Sequence, residues 1–407
     1  MPSLKFLQLS DLHLDSSLAT GGLGLSPEQI RVRQGEIRGI LPRACNLARE
    51  RGVDVVLIPG DLFDDEAVRI DTVNFVIETL GGLAPVPVLI APGNHDFYSL
   101  GSPYNNELLA ARKQTSWPPN VHIFRSPSWE IWTAEGPPSL AVTGMAHAAG
   151  AAIEKRLIAD EVPRGDEATF TILMMHGSRD NTELPRGKLC TFPFSDAELE
   201  SRGFDYAAIG HYHGQARIKS GDGRIIGAYS GVPAGRGLDE AGAKSILIGE
   251  IEKDGAGGAP RVRLESVPLD TRTIHIVDVP CSGLTHQDAI LQRAEELIAL
   301  RDFAAEDLVV IRFSGRAAPG IDLRVPDTFL SGRFFHLIVD TSRLRPAYDL
   351  DRYGREDLRT TEARFAREML KRMDEAPDPA ARRRIENALY YGLDALIQRE
   401  VLPRYEE

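Results

Sequence analysis

The sequence predicts a layered α/β protein with more than one domain, and three observations carry the prediction. From Leu4 to about Val267, short apolar runs of β character alternate with helical or loop segments. Several runs, Val55-Val56-Leu57-Ile58 among them, are continuously apolar, as strands buried on both faces under helices are. After about Leu269 the pattern changes, first to a smaller mixed unit and then to paired amphipathic helices.

Taken in order, strands are expected at residues 4–10, 53–59, 87–91, 140–144, 170–175, 206–209, 225–229 and 245–251, arranged as a central sheet. Residues 27–51 read as a helix that Pro42 should end or kink, because proline lacks the N–H that a helix interior needs. Residues 70–83 read as a second helix, and residues 255–260, Gly-Ala-Gly-Gly-Ala-Pro, as a flexible join between two final strands. Strands at 273–279, 308–313 and 334–339 with an amphipathic helix near 285–300 compose a small two-layer α/β domain. Two further helices, 357–375 and 379–400, align Phe365, Met369 and Met373, then Ile385, Leu389, Leu393 and Ile397, at steps of four. The boundaries drawn are 1–270, 271–352 for a cap domain, and 353–407 for a helical hairpin.

The chain has 407 residues, 43% hydrophobic and 26% charged, which excludes wholesale disorder and a miniature stapled scaffold. Lys and Arg number 47 against 59 Asp and Glu, a net charge of −12, which argues against coating nucleic acid by bulk charge and suits carboxylates gathered around metal ions. Cys45, Cys190 and Cys281 form no C-x-x-C pair, so neither a disulfide framework nor a thiolate zinc site is suggested. With no signal-like start and no long apolar stretch, the expectation is a soluble cytoplasmic protein with no membrane segment.

The chemistry sits where the apolar runs end. These ends read Asp11-Leu12-His13, Gly60-Asp61-Leu62-Phe63-Asp64, Gly93-Asn94-His95-Asp96, His176-Gly177 and Gly210-His211-Tyr212-His213. Loops at the carboxyl ends of adjacent strands share one edge, so these side chains should converge on one crevice. Asp11 and His13, and again His211 and His213, are spaced i, i+2, which in extended backbone points both the same way. Gly93 and Gly210 permit the tight paths that aim ligands inward. The donors are carboxylates, one amide oxygen and imidazoles without thiolate, a set that favours Mn²⁺ or Fe²⁺ and admits Zn²⁺. There are too many for one ion; two ions about 3.5–4 Å apart would use them all and suit in-line displacement at phosphorus.

In this order, D-x-H, G-D-x-x-D, G-N-H-D, H-G and G-H-x-H resemble the calcineurin-like metallophosphoesterase superfamily. With Leu14, Tyr229-Ser230-Gly231, a small second domain and a helical tail, the chain is similar to the SbcD-type nuclease subunits of bacterial double-strand-break repair. The resemblance implies a four-layer α/β/β/α sandwich and two Mn²⁺ ions. It places Asp11, His13, Asp61 and His213 on one ion and Asp61, Asn94, His176 and His211 on the other, Asp61 bridging. His95 would act on the phosphate, and Asp64 would orient His95. It further implies an exonuclease, with endonuclease activity beside it, working on DNA as a homodimer with an SbcC-like coiled-coil ATPase docked on the C-terminal helices. Two alternatives stand beside it: a phosphodiesterase for small nucleotides or lipid-linked diphosphates, and an inactive structural partner of such an ATPase.

Blander readings are preferred elsewhere. Asp15 and Asp96 are expected to cap or brace loops, and His147 to face solvent. His122, His275, His286 and His336 are read as structural, and Arg382-Arg383-Arg384 as a solvated helix face.

Overall fold

The computed structural model describes residues 2–399 except 20, 65–67, 113–114, 137, 152, 181–189, 255–257, 319–320 and 322. The first run forms β1 (Ser3–Gln8), and the expected helix over 27–51 is two helices, α1 (Pro27–Arg38) and α2 (Ile40–Arg51). The break falls at Gly39. Pro42 lies in the first turn of α2, where a backbone N–H has no intrahelical acceptor and proline's fixed φ suits the helix. At the other end of α1, Ser26 and Gln29 form a reciprocal capping box.

Next come β2 (Val55–Ile58), α3 (Ile70–Gly81), β3 (Val88–Ile90), α4 (Asn106–Ala111), β4 (Val121–Ile123), β5 (Glu130–Ala134), β6 (Leu140–Gly144) and β7 (Phe170–His176). They are followed by α5 (Asp196–Ser201), β8 (Tyr206–Gly210), β9 (Ala216–Lys219), β10 (Ile225–Tyr229), β11 (Ile246–Glu252) and β12 (Arg261–Val267). The join expected at 255–260 falls between β11 and β12, and its residues 255–257 lie outside the described residues.

The strands build two sheets, not one central sheet, in the orders β12-β11-β1-β2-β3-β4 and β5-β6-β7-β8-β10-β9. β1, β2, β3 and β4 run parallel, as do β6, β7, β8 and β10. β4, β5 and β9, absent from the sequence expectation, are all edge strands of three to five residues with polar or charged positions, which is how edges are kept from pairing with other chains.

Alternation along each strand then makes four layers. Leu7, Val56, Ile58, Val88 and Ile90 face Ile37, Leu41, Cys45, Val76 and Leu80 of α1–α3. Phe6, Val55, Leu57 and Leu89 face the other sheet's Val142, Phe170, Ile172, Tyr206 and Ala208. On the far side, Leu173, Met175, Ala207 and Ile209 are covered by Phe192, Phe194, Leu199 and Phe204. The chain therefore adopts the α/β/β/α sandwich. Continuously apolar runs follow, since each inner strand is buried on both faces.

The chain divides into two compact units, residues 1–275 with 306–308, and residues 276–305 with 309–407. The second holds a three-stranded sheet ordered β13 (Ile274–Pro280), β14 (Leu308–Ala317), β15 (His336–Pro346). Helix α6 (Gln287–Ala299) packs Ile290, Ala294 and Ile298 with Val277, Val279, Val309 and Ile311. After α7 (Leu350–Gly354), helices α8 (Thr361–Asp374) and α9 (Pro379–Leu393) form the expected pair. Their aligned apolar positions, from Phe365 to Ile397, join one cluster between them. Arg316 of β14 pairs with Asp394 at 3.2 Å and lies 4.0 Å over the Tyr390 ring, so helices and sheet of this unit are tied together. Residues 400–407 of the expected hairpin lie outside the described residues. Among the described residues, no helix is long and apolar enough to cross a membrane.

Candidate metal centre

The motif residues follow the carboxyl ends of β1, β2, β3, β7 and β8, and the two sheets bring them together at one end of the sandwich. The backbone there is not extended. Asp11, His13, Asp61 and His211 have φ of 54°, 46°, 52° and 109°, in the left-handed region that non-glycine residues seldom occupy. The i, i+2 argument for Asp11 and His13 therefore fails. The pair lies beyond the end of β1 and is aimed by strained turns that the surrounding hydrogen bonds hold, including Asp11 N to Gly60 O at 3.1 Å and His13 N to Asp61 O at 3.0 Å. The glycines do what the sequence asked: a Cβ on Gly93 would sit 2.2 Å from Asp61 Oδ1, and one on Gly210 1.9 Å from the Pro59 carbonyl.

Three imidazoles share one plan. His13 Nδ1 meets Asp64 Oδ1 at 2.9 Å, His176 Nδ1 donates to the Pro59 carbonyl at 3.0 Å, and His213 Nδ1 meets Glu240 Oε1 at 2.6 Å. Each acceptor holds the proton on Nδ1 and turns the Nε2 lone pair toward the cleft, the arrangement that metal-ligating histidines use. His176 Nε2 lies 3.2 Å from Asp61 Oδ2 and 3.1 Å from Asn94 Oδ1, His13 Nε2 lies 3.7 Å from Asp61 Oδ2, and His213 Nε2 lies 4.0 Å from Asp11 Oδ1.

Among the described residues, the converging sets of histidine and carboxylate atoms are Asp11–His13–His213, Asp11–Asp61–His176 and His13–Asp64–His95. Asp61 belongs between the first two, since its Oδ2 faces both His13 and His176. His211 lies on the same wall, its ring 5.1 Å from that of His176 and its backbone N–H donating to Asp11 at 3.2 Å, but it joins none of these sets.

Electrostatics fit divalent ions. Burial alone would raise the Asp61 carboxyl, yet the charge and hydrogen bond of His176 hold it well below the usual range. Burial alone would lower His176, and Asp61 instead raises it to about 9. His13 is driven the other way, first by burial and then by the Arg236 charge, so its ring is neutral. His13 Nε2, fully buried, has no hydrogen-bond partner; such an orphaned atom is costly unless something else fills the cleft. Oxygen and imidazole donors without thiolate suit Mn²⁺, Fe²⁺ or Zn²⁺. The site is thus a candidate dimetal centre of Asp and His residues.

Several positions differ from expectation. The Asp64 carboxylate bonds His13, and it is the Asp64 backbone carbonyl that meets His95 Nδ1, at 3.1 Å. The physical reason is burial: the N–H of buried His13 requires an acceptor more than that of half-exposed His95. His147 is not a solvent-facing loop residue. It is 1% exposed, packs on Phe192, and its Nε2 donates to the His176 carbonyl at 2.8 Å, steadying the strand end that carries His176.

Asp96 and Asp15 do brace loops. Asp96 accepts from the backbone N–H groups of Asp61, Leu62, Phe63 and Gly93 and from the Tyr104 hydroxyl, while Asp15 accepts from Arg69 and Thr72. His275 is paired with Asp307 at 3.0 Å, and His122 packs on Phe124. Sequence reasoning missed Glu240 and Arg236, although they stand at an i, i+4 spacing just beyond the Tyr229-Ser230-Gly231 motif. Burial alone would raise Glu240, but the hydrogen bond from His213 and then the Arg236 charge bring it to about 2.

The profile of the calcineurin-like phosphoesterase family matches residues 4–215, just over half of the chain. The uncharacterized metallophosphoesterase YhaO of Bacillus subtilis strain 168 is 30% identical over 254 residues, which cover 61% of this chain and 57% of that protein. The DNA double-strand break repair protein Mre11 of Saccharolobus solfataricus is 26% identical over 240 residues, covering 56% and 54%. The chain thus matches little more than half the length of these relatives. Among solved structures, TT1561 of Thermus thermophilus shares 13% identity with a TM-score of 0.36, covering 65% of this chain and 99% of that one.

Proposed function

The chain belongs to the calcineurin-like phosphoesterase family, a family of phosphoester hydrolases, and from that premise we propose that it is an Mn²⁺-dependent dinuclear phosphodiesterase that cleaves DNA. The observation that carries the reading is the convergence of the His13 and His176 Nε2 atoms with Asp61 and Asn94 in one cleft, with half-exposed His95 at its edge. DNA as substrate draws support from the similarity to a double-strand-break repair protein. It draws further support from a cavity of about 220 Å³ beside His13 that Arg31, Arg38 and Arg69 line, the last two paired with Asp71 and Asp15.

Asp11, His13, Asp61 and His213 would hold one ion, and Asp61, Asn94 and His176, with His211 beside them, the other. Such ions supply Lewis acidity at phosphorus and lower the pKa of an attacking water. The chain's own residues do the rest. The His95 backbone N–H donates to Asp61 Oδ1 at 3.0 Å and fixes the carboxylate that would serve both ions. The Asp64 carbonyl accepts from His95 Nδ1 and leaves Nε2 for the phosphate, where the doubly protonated ring would stabilise charge or give its Nε2 proton to the departing oxygen and become neutral. The same reading carries an assembly: a homodimer whose C-terminal helices bind a coiled-coil ATPase.

The test is degradation of linear duplex and single-stranded DNA by Mn²⁺-loaded protein beside His95→Ala, which should keep metal and fold. Cleavage by wild type alone supports the reading. Hydrolysis of a small aryl phosphodiester but of neither DNA would move the substrate to small phosphodiesters, and equal behaviour of wild type and variant would remove His95 from the chemistry.

A further inference from the structure

Arg236 stands at the edge of the candidate metal centre and is accounted for by neither the motifs nor the ligand set. Its side chain is 13% exposed. Its backbone N–H and Nε donate to Glu240 Oε2 at 2.7 and 3.4 Å, and its Nη2 donates to Glu240 Oε1 at 2.8 Å. Glu240 is itself buried and holds His213 at 2.6 Å. One edge of the guanidinium is therefore locked. The other edge is loosely held, with Nη1 3.6 Å from Asp64 Oδ1, beyond a normal hydrogen bond. That Asp64 oxygen is engaged by His13 Nδ1 at 2.9 Å, and it lies 3.8 Å from His95 Nδ1. Arg236 Nη1 and the His95 ring thus flank one carboxylate at the mouth of the cleft.

We propose that Arg236 is a substrate-contacting residue of the hydrolytic site, binding a non-bridging phosphate oxygen through Nη1 while Glu240 holds the rest of the guanidinium. A guanidinium is charged at any working pH and presents N–H donors in a planar fork matched to phosphate. Held by Glu240 on one edge, it needs no reordering to exchange a 3.6 Å contact for a phosphate oxygen. In the transition state, as charge builds on those oxygens, the contact strengthens beside His95. The competing account is that Arg236 serves only to neutralise Glu240 and Asp64. The proposal rests on the phosphodiesterase reading, and the experiment separates the two.

Wild type, Arg236→Met and Arg236→Lys, each loaded with Mn²⁺, are compared in three measurements: bound metal per chain, inorganic phosphate binding by calorimetry, and kcat and KM on both DNA and a chromogenic aryl phosphodiester. The expected result is unchanged metal content in all three. Arg236→Met should bind phosphate about 10-fold more weakly and lose about 100-fold in kcat/KM, while Arg236→Lys recovers part of both as a point charge without the fork. Loss of metal by Arg236→Met, or phosphate binding equal to wild type, overturns the proposal in favour of a structural role. Should wild type hydrolyse neither substrate, the phosphodiesterase reading falls, and the phosphate-binding difference still decides the role of Arg236.

Discussion

Replacement of Arg33 by Met tests whether the loop behind the metal centre is held by a buried ion pair. Arg33 is 1% exposed. Its Nη1 and Nη2 donate to the two Asp270 oxygens at 2.6 Å each, and Nη2 and Nε donate to the Gly235 carbonyl at 2.8 and 3.3 Å. The Gly235 N–H in turn donates to Asp270 Oδ2 at 3.1 Å. Both backbone polar groups of the residue preceding Arg236 are thereby fixed. Methionine keeps much of the stem and removes the fork, leaving the Asp270 carboxylate, 6% exposed in its side chain, without its cation. Breaking a buried pair in this way costs about 3–5 kcal/mol. Asp270 keeps the Gly235 N–H and an Arg272 N–H at 3.4 Å, which places the expected loss near the lower end, about 3 kcal/mol.

Urea denaturation followed by tryptophan fluorescence reports the first unit, because Trp117, Trp129 and Trp132, the chain's three tryptophans, all lie in it. Asp270→Asn completes a double-mutant cycle, with an expected coupling of about 2 kcal/mol. A single-variant loss under about 1 kcal/mol, or additive behaviour of the pair, would refute the argument.

Glu240→Gln should lower Mn²⁺ affinity about 10- to 100-fold by calorimetric titration, because the amide no longer fixes the His213 proton on Nδ1. The Glu240 carboxyl falls from an ordinary 4.5 to about 2 in the folded protein, so its stabilisation is fully present above pH 4.5 and is lost as pH falls toward 2. The difference in urea midpoint between wild type and Glu240→Gln should accordingly be constant from about pH 5 to 8 and narrow below 4.5; a constant gap at all pH would contradict it. Gly210→Ala would put a Cβ 1.9 Å from the Pro59 carbonyl, which is backbone and cannot swing aside. A loss of at least about 1–3 kcal/mol in the same denaturation assay is expected, with weakened metal binding, and a neutral result would show that the two strand ends are not rigidly apposed.

Much of the site could be read because its chemistry is local. A carboxylate or imidazole just past an apolar run is visible in the sequence, and so are the glycines that let such loops approach one another. The layers could be read for a related reason: an inner strand buried on both faces must be apolar throughout, as Val55 to Ile58 is. Edge strands β4, β5 and β9 could not, because a half-solvated strand of three to five residues carries little pattern. Pro42 misled for a positional reason, since a helix-breaking residue is harmless in a first turn and only the location of the preceding glycine cap decides which turn it occupies.

The sequence by itself determined which residue types stand at the strand ends, their order, and hence the donor chemistry and the layered class. Only the tertiary structure decided what each donor's second atom touches: Asp64 on His13 and not on His95, the Pro59 carbonyl on His176, Glu240 on His213, and Arg236 set against Asp64. Those partners are distant in the chain, 51 residues apart for His13 and Asp64, 117 for His176 and Pro59, and further still for Asp64 and Arg236. Proton position and side-chain direction depend on short-range hydrogen bonds and burial, and both are set by packing two sheets face to face, which no local pattern encodes.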